Sequence, residues 1–212
     1  MAEIVEYGIK NVGASSMQIT GGSTHSGLAE SEYVHNYLTA IDERVGRSNI
    51  SGEILLYITP PADMGIIDKY FELGANRVAC SLELWDEARA KLVTPGKIEL
   101  TTRKQHLDAL EYISDKYGPA KAFSNFIIGI EEFDTLKQGV TYLSERGIMP
   151  SASIWMPMGR PVQSTMQAPD ISFYKRVKEL YADMYQKYNL EPVANRGLNV
   201  CVERDIWNYS CL

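Results

Sequence analysis

The sequence predicts an α/β fold, a partial (open) parallel β/α barrel of TIM-barrel-like design, on three observations. Five short apolar runs alternate with amphipathic helical stretches, and that order implies parallel pairing with right-handed crossovers. Gly74, Gly118 and Gly147 each fall where a helix should stop, shortly before the next apolar run, as a left-handed C-cap ahead of a short loop requires. Periodicity alone fits a barrel or an open doubly wound sheet, but strands buried on both faces of a parallel sheet read as continuous apolar runs. Here one alternate set is polar or small: Gln18 and Thr20, Tyr57 and Thr59, Ser81 and Glu83, Ser151 and Ser153. Side chains two apart share a face, so these residues are expected to line a polar lumen at the C-terminal strand ends, where β/α-barrel sites lie; exposure at an edge or end of the sheet is the alternative.

Taken in order, residues 3–12 read as a helix with Ile4, Val5, Ile9 and Val12 on one side, leading into a strand at 16–20. A helix in that place should follow an earlier strand, so the chain is expected to begin in the middle of a β/α unit. The helix at 30–45 carries Tyr33, Tyr37, Leu38, Ile41 and Val45 at helical spacing. A strand at 53–59, a helix at 63–73, a strand at 77–83 and a helix at 85–92 follow. A second helix on that crossover, 102–117, has Leu107, Leu110, Ile113 and Tyr117 as its buried stripe. The strand at 122–129, helix at 132–146 and strand at 149–156 complete the regular part. The loop 157–169 holds Gly159 and three prolines, and a last helix spans 170–188 with Phe173, Val177, Leu180, Tyr181 and Met184 on one face. The division expected is a barrel over 1–190 and a C-terminal tail over 191–212.

Composition narrows the class. With 212 residues, 45% hydrophobic and 23% charged, the chain can bury one sizeable core. A net charge of −6 with scattered lysines and arginines disfavours nucleic acid and membrane partners alike. The N-terminus lacks the basic start and apolar run of a secretory signal. Cys80, Cys201 and Cys211 are too few and too far apart for a disulfide framework, which fits a cytoplasmic protein.

Several residues stand out chemically. Gly21 and Gly22, closing the first strand ahead of Ser23, let a ligand approach the backbone and leave carbonyls free to accept from an ammonium group; a plain turn is the alternative. Glu83, a carboxylate on a buried strand, needs a partner or a ligand. Trp155 follows Ser151 and Ser153 on the inward face, where it would stack on a base or pack as core. No metal set is expected: His35 and His106 read as surface or boundary residues, and His25 follows the glycine turn as a candidate site residue. Arg160 reads as a carboxylate clamp or a solvated loop arginine, and Cys201 and Cys211 as metal ligands or packing residues.

The order of Gly21-Gly22, then Ser81-Leu82-Glu83, then Asn125-Phe126-Ile127-Ile128-Gly129-Ile130-Glu131-Glu132 resembles the radical S-adenosylmethionine (radical SAM) superfamily over nearly all of the chain up to Pro157. The resemblance implies that Gly21, Gly22 and Ser23 bind the amino group of S-adenosylmethionine, although Ser23-Thr24 replaces the family's glutamate-proline continuation. It places Glu83 toward the ribose or carboxylate. Ile127, Gly129 and Glu132 match the pattern that supports the adenine, with Asn125 in place of its first glycine. The family also holds a [4Fe–4S] cluster on a C-x-x-x-C-x-x-C loop after its first strand; electron transfer from it cleaves S-adenosylmethionine to the 5′-deoxyadenosyl radical. That spacing is absent here, so the chain is expected to be a fragment, or a split or degenerate relative, lacking the first strand and cluster loop.

The function expected is a radical SAM core binding S-adenosylmethionine and a small polar substrate, the latter on Tyr57, Ser81 and Ser153. Two alternatives are a cluster-less ligand-binding or regulatory barrel and an ordinary β/α-barrel lyase. A Schiff-base lyase would want a lysine near a strand's C-terminal end, and Lys121 lies at the start of its strand. A Rossmann-type methyltransferase would want a glycine fingerprint that the Gly21-Gly22 turn does not have.

Overall fold

The computed structural model describes residues 1–21, 27–156, 166–192 and 202–210. Five parallel strands form one open sheet in chain order: β1 (Met17–Ile19), β2 (Ile54–Tyr57), β3 (Arg77–Ala79), β4 (Ala122–Ile128) and β5 (Met149–Ile154). Among the described residues each strand pairs with its sequence neighbours, as consecutive β/α units require. The expected fold class, a partial open β/α barrel, is the one observed.

Helix α1 (Ala2–Tyr7) runs into a π-helical turn over Gly8–Val12, which ends at Gly13 in the left-handed region, φ 73°. Arg44 bridges it to α2 (Gly27–Val45) through Glu3 and Glu6. The buried stripe of α2 is Val34, Leu38 and Ile41, whereas Tyr33 and Tyr37 are exposed. The sequence pattern admits both stripes, since each tyrosine sits one residue from a buried position; the smaller aliphatic stripe packs against the sheet. Helix α3 (Gly65–Glu72) buries Ile67 and Tyr70.

After β3 the crossover carries α4 (Glu87–Val93), α5 (Pro95–Leu100) and α6 (Arg103–Tyr117). The sequence reading omitted α5, whose Pro95 at the first helical position is its start signal. Thr102 and Gln105 form a capping box that starts α6. His106, expected at the surface or boundary, is 4% exposed, because it faces inward with Ala109, Leu110 and Ile113. Helix α7 (Phe133–Glu145) packs on β5 and α8 (Ile171–Lys187) on α7. Within 191–212, residues Glu203–Ser210 form α9, which packs on α8 and buries Ile206 in the main core.

Strand β3 is shorter than the expected 77–83. The ladder stops at Ala79, and Glu83 rejoins β4 by a single bridge to Phe126. The inner face of the sheet is layered. At the N-terminal strand ends Arg77 is bonded to Glu53 at 2.9 Å and to the carbonyls of Ala120 and Glu191. Above it Tyr57 meets Phe123 edge-on, ring centroids 5.3 Å apart. Polar side chains follow at the C-terminal ends. Among the described residues no helix is long and apolar enough to cross a membrane.

Candidate functional site

The polar layer is built from three strand ends and one crossover helix. Asn125 on β4 is its hub: its amide nitrogen donates to Glu83 Oε2 at 2.9 Å. Ser151 and Ser153 on β5 donate to Asn125 Oδ1 at 3.2 and 2.9 Å. The parallel register places Asn125 beside Ser151 and Ile127 beside Ser153, so these side chains point into the same lumen. Glu83 holds its place through backbone bonds to Asn125 and Ile127 and has φ 67°, a conformation costly for a residue with a Cβ. Its second oxygen, Oε1, accepts from Lys97 Nζ at 2.5 Å, and the same ammonium donates to the Ser81 carbonyl at 3.1 Å.

Beside this layer opens a cleft of about 150 Å³ lined by Thr20, Gly21, Tyr57, Ser81, Glu83 and Lys97, among others. Glu30 also reaches it from α2, its carboxylate accepting from the Thr59 amide at 2.6 Å and hydroxyl at 2.8 Å. Among the described residues, a side chain at Gly21 would meet nothing within 4 Å. Gly22, Ser23 and His25 lie outside the described residues, as do Pro157, Arg160, Cys201 and Cys211.

The far side of the layer is apolar. Ile127 and Trp155 pack with Leu84, Ala90 and Ile130 into a small separate cluster. Gly129, at φ 104°, lets the chain turn under Tyr174 and Pro169; a Cβ there would stand 3.1 Å from Tyr174 Oη. Glu132 is exposed at the N-cap of α7 with no side-chain cap bond. Its neighbour Glu131 is the enclosed carboxylate, 5% exposed, accepting from the amides of Trp85 and Asp86. Burial pushes the Glu131 carboxyl up, and those two amides pull it back.

The structure thus brings Gly21, Tyr57, Ser81 and Glu83 to one cleft, Asn125 and Ser153 to the layer behind it, and Ile127 and Trp155 to the apolar side. Sequence reasoning missed Lys97 and Glu30. Glu30 had been read only as the start of a helix, and Lys97 sits on a helix whose one local signal is Pro95. Cys80 is fully enclosed behind the cleft, its thiol pushed up to about 12 by burial. Among the described residues no group of three or more His, Cys, Asp or Glu is placed to hold a metal ion. Those residues therefore do not fit the ligand set of an iron–sulfur cluster.

No family model matches the chain. It is 28% identical over 149 residues to the bacteriochlorophyllide c C-7(1)-hydroxylase of Chlorobaculum limnaeum, an alignment covering 67% of this chain and 37% of that protein. Among solved structures it is similar to the coproporphyrinogen III oxidase HemN of Escherichia coli, a radical SAM enzyme. That match has a TM-score of 0.59 at 12% identity and covers 82% of this chain and 40% of HemN. Elp3 of Methanocaldococcus infernus, with an N-terminal deletion, gives a TM-score of 0.50 at 16% identity, over 90% of this chain and 49% of that one. The chain thus spans under half the length of each of these proteins. With five parallel strands in chain order, the chain shares the fold of HemN, a radical SAM enzyme, and of Elp3 over the parts that align.

Proposed function

We propose that this chain is the S-adenosylmethionine-binding barrel core of a cytoplasmic radical enzyme whose small-molecule substrate enters the same lumen. The observation that carries the reading is the junction at Asn125: a polar cleft holding Glu83 and Gly21 on one side, and the apolar face of Ile127 and Trp155 on the other. S-adenosylmethionine has a charged amino-acid end and a flat base, and it suits a site with that division. Gly21, with Gly22 and Ser23, would take its amino group, and Glu83 its ribose or carboxylate end. Ile127, with Gly129 and Trp155, would face the adenine, and Glu132 would support that turn.

Bound S-adenosylmethionine would supply radical hydrogen abstraction. The chain's own residues bind and orient. Asn125 fixes the Glu83 carboxylate, while Tyr57, Ser81 and Ser153 offer hydroxyls to a polar group of the substrate. On this reading the thiolates of a [4Fe–4S] cluster come from outside the described residues. The hydroxylation and oxidation named for two of the relatives are reactions on tetrapyrroles, and a substrate of that chemical kind is within the reading.

The test is calorimetric titration of the chain with S-adenosylmethionine. One-to-one binding is expected, weakened about tenfold, or about 1.4 kcal/mol, by Glu83→Gln and by Gly21→Val. A folded chain that does not bind, or variants that bind as the parent does, would sink the proposal.

A further inference from the structure

Tyr33 and Tyr37 lie one turn apart on α2 and are 57% and 36% exposed. Their ring planes are within 24° of each other, with centroids 6.4 Å apart. The core does not need them, since Val34, Leu38 and Ile41 already anchor α2. Two large rings held side by side in water retain apolar surface that a ligand can cover.

The two tyrosines wall a cavity of about 250 Å³ together with Ile19 and Val34. Its lining also includes Thr20, Gly21, Glu30 and Tyr57, which line the polar cleft as well. The two spaces therefore adjoin, one aromatic and the other charged. The joint lining holds two carboxylates, Glu30 and Glu83, against one ammonium, Lys97, which Glu83 already engages. A carboxylate has about four acceptor sites, so this end favours a donor over an anion.

We propose that the aromatic chamber takes the flat, unsaturated ring body of the substrate, with a hydroxyl or amino group of that ring directed into the cleft. The inference rests on the cleft being the ligand site of the function proposed above, and it narrows the substrate class. Near-parallel tyrosine faces favour a ring, because offset stacking adds to what burial alone contributes. An aliphatic chain would gain as much from leucine as from tyrosine.

The probe is pyrenylmethylammonium, a fluorescent flat ring with a donor, titrated into the chain and compared with pyrenecarboxylate. One-to-one binding is expected, with the ammonium form preferred. The double variant Tyr33→Leu/Tyr37→Leu should bind about tenfold more weakly, and Tyr33→Phe/Tyr37→Phe close to the parent. All three proteins should bind S-adenosylmethionine equally. Failure of the parent to bind the probe, or equal binding by the leucine variant, overturns the chamber even where S-adenosylmethionine binds. A concentration-dependent dimer, lost in the leucine variant, would also overturn it by assigning this face to a second copy. If the probe binds as expected while S-adenosylmethionine does not, the chamber stands and the reading of the cleft falls.

Discussion

The Lys97 ammonium on α5 lies 2.5 Å from the Glu83 carboxylate, and the two side chains are 28% and 18% exposed. They come from a crossover helix and a strand end, so the pair ties α5 to the sheet while occupying the cleft. Pairs open to solvent contribute little, but this one shares its carboxylate with Asn125 and its ammonium with the Ser81 carbonyl. Such a network should show coupling beyond the sum of single deletions. Glu83→Gln, Lys97→Met and the double variant are expected to show a coupling energy on the order of 1 kcal/mol in urea unfolding. Additivity of the two single changes would show that the pair is no more than a surface contact.

The strand and most helix positions were legible because hydrophobic period and glycine stops are local signals. The lumen set was legible too: Ser151 and Ser153 alternate along one strand, and both bond Asn125. What escaped depends on tertiary placement. Lys97 is one of many lysines until α5 folds it over Glu83. His106 and the Tyr33–Tyr37 pair were assigned the wrong side of their helices, because adjacent stripes on a helix differ by only one residue. Glu131 and Glu132 are adjacent carboxylates of one type, and only the backbone turn at Gly129 decides which one is enclosed.

His106 makes stability depend on pH. Its ring is buried, with Nε2 2.8 Å from the Thr101 hydroxyl, and desolvation lowers its pKa to about 4. The unfolded chain binds a proton near pH 6.5 and the folded chain only near 4. Between those values the unfolded state holds more protons, so stability falls as pH drops through this window and levels off below it. The full effect is on the order of 3 kcal/mol. Urea unfolding at pH 7 and pH 5 should show a loss for the parent that His106→Gln lacks. Equal pH dependence in both proteins would place the titration elsewhere.

Gly139 on α7 faces the Phe126 and Trp85 rings, and the space is closed. A Cβ there would stand 2.9 Å from Phe126 Cζ and from the Trp85 ring. Both rings are held, since Trp85 also lies under the Arg103 guanidinium at 3.7 Å and Phe126 is fully buried. Alanine gains about 1 kcal/mol of helix propensity over glycine, while overpacking a fixed core costs about 1–3 kcal/mol. Gly139→Ala should therefore be neutral to destabilised by up to about 2 kcal/mol. A lower thermal midpoint with unchanged circular dichroism is the expected result, and a stabilised variant would show that the helix can withdraw.

At the β5 edge of the sheet, a side chain of α9 reaches the strand backbone. The Ala152 amide on β5 donates to Glu203 Oε1 at 3.0 Å, and both residues are buried, at 1% and 5% exposure. A carboxylate satisfying an edge amide removes a site at which another chain could pair. Glu203→Ala would leave that amide enclosed without an acceptor, a loss of about 1–3 kcal/mol. Glu203→Gln keeps an acceptor oxygen and should recover part of it. Hydrogen exchange at Ala152 distinguishes this from general loosening. In Glu203→Ala its amide should lose protection together with α9, while the amides of β2 and β3 exchange as before. If Ala152 stays protected, another group holds that edge and α9 is not its closure.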